Sequence, residues 1–72
     1  MNPKLKQILV KSVNKSLVKA KLGDSVNSTD VTNTVNMAVN RVLNTRFIVE
    51  QLGGLVERSV DQALQELKDN NK

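Results

Sequence analysis

The sequence predicts an all-α fold of two to three amphipathic helices in a small bundle, and three observations predict it. Apolar residues recur at three- and four-residue spacing along most of the chain. Turn-forming residues cluster over 23–30 and again at Gly53-Gly54. The single proline stands third, where a helix start tolerates it.

The first helix is expected over about 3–22. Asn2 can cap it, Pro3 suits its first turn, and Gly23 can take the left-handed closing position. Leu5, Leu9, Val13, Leu17 and Ala20 fall on one face, flanked by Ile8 and Val10. Residues 23–30 form a turn-rich connector, with Ser28, Thr29 and Asp30 as rival caps for the next helix.

The second helix, expected over 30–52, carries the clearest pattern. Val31, Val35, Ala38, Val42, Thr45, Val49 and Leu52 are spaced by 4, 3, 4, 3, 4 and 3 residues, a heptad register. Val35, Val42 and Val49 form one β-branched set; Val31, Ala38, Thr45 and Leu52 form the other, small enough for close helix approach. Val39, Leu43, Phe47 and Ile48 widen the apolar surface, which argues for a bundle rather than a bare two-stranded coil. Asn33, Asn36, Asn40 and Asn44 occupy the outer face. Asn is a poor helix former, so burial of the opposite face must hold this helix together. The expected self-association seam is Val31, Val35, Ala38, Val42, Val49 and Leu52, pressed dry against protein, with a homodimer favoured.

After Gly53-Gly54, residues 55–68 resume a helical pattern through Leu55, Val56, Val60, Ala63, Leu64 and Leu67. Two readings compete at the glycines. A hairpin turn gives three helices; continuity is also consistent, because the apolar faces on either side stay nearly aligned. Each mid-helix Gly costs about 1 kcal/mol against Ala, which favours a break or kink. Residues 69–72 are expected to fray. A weak internal echo fits three helices: Ser12–Leu17, Thr34–Val39 and Ser59–Leu64 share a small hydroxyl residue, Val, Asn or Asp, any residue, a small residue, then Leu or Val. It reads either as duplication with a repeated docking surface or as chance among amphipathic Val- and Asn-rich helices.

Composition removes most chemistry. The 72 residues include no Cys, His, Trp or Tyr, so thiolate and imidazole catalysis, Cys/His metal sites and disulfides are excluded, and no cofactor is expected. Phe47 is the sole aromatic, leaving little to stack on a base. Hydrophobic residues make up 39% of the chain, and eleven of them are Val. Such a thin core yields about 3–5 kcal/mol, so association with a second copy or a protein partner is the expected supplement. No window reaches the roughly 18 apolar residues of a membrane span, and Lys11 cuts Ile8-Leu9-Val10 too short for a signal peptide. A cytoplasmic location is therefore expected. Brevity with an Asn- and Lys-rich composition points to a viral or mobile-element product, for which a virion location also fits.

Charge is sorted along the chain. Residues 1–22 carry +6, residues 23–49 balance at zero, and residues 50–72 carry −2, for a net +4. Lys4, Lys11, Lys15 and Lys19 line one face of the first helix. That stripe could bind nucleic acid non-specifically, without the arginines and aromatics that read bases. It could meet a membrane surface, but no Trp or Phe anchors it there. The plainest alternative is a solvated face, or one that complements the acidic C-terminal helix. A helix-turn-helix through residues 55–68 is disfavoured, since Glu57, Asp61 and Glu66 would enter the groove. Glu57 and Asp61 share a helical face as paired acids would, yet ordinary solubilising charge explains them better. The expected function is binding rather than catalysis: a small oligomerising accessory, adapter or assembly protein. The alternative is a non-specific nucleic-acid binder acting through helix 1.

Overall fold

Three helices account for most of the described residues: α1 over Pro3–Ala20, α2 over Ser28–Leu43 and α3 over Val49–Asn70. The computed structural model describes residues 3–23 and 26–70. The expected Asn2 cap and the fraying of Asn71 and Lys72 lie outside these residues. Both α1 and α2 pack along α3 and touch each other only slightly. The bundle measures 36 × 19 × 18 Å, its long axis set by the length of α3.

The all-α bundle stands as expected, but the boundaries of its helices move. The first helix ends at Ala20 rather than near residue 22, because Lys21 turns left-handed at φ 49°. Gly23 is also left-handed, at φ 64°, as the connector requires. The Lys68 ammonium donates to the Ala20 carbonyl at 3.0 Å and so caps the C-terminal end of α1. At the start of α2 the cap is Asn27, not Ser28, Thr29 or Asp30: its Oδ1 accepts from the Thr29 N–H at 2.8 Å. Asp30 lies in the first turn, where its carboxylate faces the positive end of the helix dipole.

The larger correction concerns the middle of the chain. The helix expected over 30–52 ends at Leu43, and the helix expected over 55–68 spans Val49–Asn70, straight through Gly53-Gly54. The break falls at residues 44–48 instead. There the Thr45 N–H and hydroxyl both donate to the Val42 carbonyl, at 3.0 and 2.7 Å, and Asn44 closes the last turn. Asn and Thr are weak helix formers whose side chains compete for backbone partners. The helix passes through the glycines because packing against α1 holds it at Gly53. A Cβ on Gly53 would lie 3.3 Å from Ser12 Oγ and 3.5 Å from Ile8 Cγ2, so α1 packs closely on α3 at Gly53. A Cβ on Gly54 would meet nothing.

The core follows from that break. Leu52, Val56, Val60 and Leu64 form an i, i+4 stripe on α3 with no exposed surface at all. Val35, Ala38 and Val42 of α2 and Leu9 of α1 complete the buried cluster, with Phe47 and Leu67 packed at its margin. Because the connector between α2 and α3 is only five residues, α2 folds back antiparallel on α3. Ascending contacts, Ile8 and Ser12 beside Gly53, Ser16 at Glu57 and Lys19 at Asp61, set α1 parallel to α3.

Candidate functional site

The residues expected to form a seam between copies lie within one chain. Val35, Ala38, Val42 and Leu52 are buried in its core and Val31 packs at the margin. Thr45 stands exposed in the turn after α2, while Val49 opens α3 and is 38% exposed. The stripe is dry at Val35, Ala38 and Val42, as expected, but α3 of the same chain covers it. The break at residues 44–48 makes this possible by turning the second half of the heptad pattern back onto the first.

The basic stripe divides in two. Lys19 lies 3.3 Å from an Asp61 carboxylate oxygen and Lys15 lies 3.7 Å from one of Glu57. Both acids are half-buried against α1, with side chains 28% and 29% exposed, while the two ammonium groups stay mostly in water. This is the complementarity between basic and acidic helices that the charge distribution allowed. It also assigns Glu57 and Asp61, which face α1 rather than open solvent, an ion-pairing role. Lys4 and Lys11 are exposed on the N-terminal half of α1. Sequence reasoning placed Ser12 and Ser16 only in the internal echo and missed their position beneath these pairs: Ser16 is fully buried and donates its hydroxyl to the Glu57 carbonyl at 3.3 Å. The available signal was the i, i+4 spacing of Ser12 and Ser16, which lets one helix approach another closely.

The internal echo coincides with the helix contacts. Ser16, Ala38 and Ala63 are its small positions, and Ser16 and Ala38 are buried. Across the other pair of helices the Ser59 hydroxyl donates to the Ala38 carbonyl at 3.2 Å. Each copy therefore turns its ridge inward.

A recess of about 270 Å³ opens between α2 and α3, lined by no α1 residue. Thr34, Met37 and Arg41 form its α2 wall; Gln62 and Glu66 stand on the α3 wall. Small side chains, Ala38, Ser59 and Ala63, line its floor and leave the space open. Met37 is 59% exposed, and Arg41 and Glu66 are exposed without an ion pair to any described residue. Sequence reasoning did not single out this groove. Its signal was Met37, an apolar residue set among the asparagines of the outer face of α2.

Among the described residues no helix is long and apolar enough to cross a membrane, and no three acidic side chains converge as a metal site would require. Compared with protein-family models, curated proteins and solved structures, the chain matches none.

Proposed function

We propose that this chain is a non-enzymatic helical module that acts by binding protein, itself included, in an accessory or assembly role. The observation that carries this reading is the open groove between α2 and α3, with Met37 exposed on its lip. A recess open to solvent between two helices does not shut water away from a reacting group, as a catalytic site must. Its small-residue floor and mixed rim instead suit the side chains of another helix.

A second reading, non-specific binding to nucleic acid, draws on the net charge of +4 and on exposed Lys6 and Lys11. The pairing of Lys15 and Lys19 with Glu57 and Asp61 weakens it, because those cations already have counter-charges. Two measurements separate the readings. Light scattering over a concentration series should return a mass above the 8.0 kDa of one chain. A gel-shift titration with duplex DNA at two salt concentrations should show no complex. A salt-steep complex lost in Lys6→Glu plus Lys11→Glu, from a chain that stays monomeric, would replace the first reading with the second. Lys15 is left intact in that variant, since Lys15→Glu would also repel Glu57.

A further inference from the structure

We propose that two copies of this chain pair by exchanging α3, with α2 and α3 of each copy joined into one helix through residues 44–48. The proposal rests on the protein-binding reading and names its partner, a second copy, and the segment that admits it.

The heptad pattern supplies the motive. It runs from Val31 to Leu52 without a gap, although the turn interrupts it. Val31, Val35, Ala38, Val42 and Leu52 pack in or against the core. Thr45 and Val49, within and beside the turn, stand exposed. The repeat is therefore kept at two positions where the single chain makes no use of it.

The backbone of the turn starts close to helical and is nowhere left-handed. Residues 44–48 contain neither Gly nor Pro, and none has a positive φ. Asn44 lies in the right-handed region at φ −86° and ψ −2°, and its N–H still donates to the Asn40 carbonyl at 3.0 Å. In a helix continued through the turn, Val35, Ala38 and Val42 lie within about 40° of Leu52, Val56 and Val60 around the axis. The joined helix carries one apolar face along its whole length, and a second such helix, antiparallel, covers it.

The two-fold axis runs between the two joined helices, perpendicular to the plane that contains them. The Ser59 hydroxyl donates to the Ala38 carbonyl, so these positions share a level. Keeping that contact between copies puts the axis midway between 38 and 59, at residues 48 and 49. Val49 of one copy then meets Val49 of the other, and Thr45 of each lies level with Leu52 of the other. Residues 21–27 keep α1 beside α2 at the far end, so α1 packs on the exchanged α3 through its existing contacts, Ser16 to Glu57 and Lys19 to Asp61. The helix contacts of the single chain are thus remade between copies, and the difference between the two forms is confined to the turn. Straightening gives up the packing of Phe47 at the core margin and gains helical hydrogen bonds and the contact at the axis. These effects oppose one another, so protein concentration sets the balance.

Refolding from urea over about 10 μM to 1 mM, followed by sedimentation velocity, reads the mass. The wild-type chain should form a dimer whose share rises with concentration. Proline suits the first position of α3 but breaks a helix continued through it. Val49→Pro should therefore raise the dimer dissociation constant at least about a hundredfold, while circular dichroism stays that of the folded chain. Thr45→Leu adds apolar surface at the axis and should lower the constant about tenfold. Pulsed electron paramagnetic resonance reads the geometry separately. Spin labels at Asn36→Cys and Gln65→Cys, both exposed positions in a chain without cysteine, are refolded with excess unlabelled chain. The labels stay within roughly 20 Å across a bundle 19 × 18 Å in section, and stand roughly 40 Å apart on a joined helix. Dimers that give the long distance and are lost in Val49→Pro bear out the exchange. Dimers that keep the short distance, or that Val49→Pro leaves intact, overturn the exchange alone and leave self-association standing. A chain that stays monomeric at every concentration overturns the exchange and self-association together.

Discussion

At the scale of single residues, the two adjacent glycines of α3 hold different places. Gly54 faces open space and contributes nothing that a methyl would disturb, whereas Gly53 lies under Ser12 and Ile8. Ala at an exposed helix interior position is favoured over Gly by about 0.5–1 kcal/mol, so Gly54→Ala should raise the melting temperature by several degrees. Gly53→Val should do the reverse, forcing α1 away from α3 and costing about 1–3 kcal/mol. Thermal melts followed by circular dichroism check both, and stabilisation by Gly53→Val would mean that α1 does not pack there. A third substitution tests the cap. Asn27→Ala removes the acceptor for the Thr29 N–H and should destabilise the chain by about 1 kcal/mol in a urea titration, while Ser28→Ala should change little.

At the scale of the helix, the sequence disclosed periodicity more faithfully than punctuation. The apolar spacing of each helix was legible, and so were the left-handed Gly23 and the complementary charges of the terminal helices. The position of the break was not. Local propensity set two glycines against an Asn-Thr pair, and the outcome depended on a tertiary contact, the approach of α1 to Gly53. The heptad register misled for a related reason: a seven-residue repeat looks the same whether its face meets a second chain or, after a turn, its own continuation. The groove escaped notice because its walls come from two helices whose relative register no local pattern encodes. The ion pairs allow a test of that register. A double-mutant cycle on Lys19→Ala and Asp61→Ala should give a coupling of about 0.2–1 kcal/mol, the range for exposed pairs, that shrinks as salt is added. A coupling of zero at low salt would separate these side chains and undo the parallel alignment of α1 with α3.

At the scale of the whole molecule, the core is thin and its bulk is concentrated. Most of the buried apolar side chains are Val or Ala, and the largest fully buried ones are Leu52 and Leu64 of α3. Both α1 and α2 pack on α3, whereas their contact with each other is slight, so the molecule has no second route by which to hold its helices together. Truncating a fully buried Leu to Ala typically costs about 2–5 kcal/mol through lost transfer energy and the cavity left behind. A core of this size holds only about 3–5 kcal/mol in total. Leu64→Ala should therefore unfold a large fraction of the chain at room temperature, with all three helices lost in one transition rather than the C-terminal end of α3 alone. Far-ultraviolet circular dichroism against urea checks this, with Val18→Ser as the control, since Val18 is 77% exposed and should tolerate the change. Retention of full helicity and an unchanged urea midpoint in Leu64→Ala would show that α3 is not the spine of the bundle. Loss confined to the last turns of α3 would show that α1 and α2 draw their stability from somewhere other than this stripe.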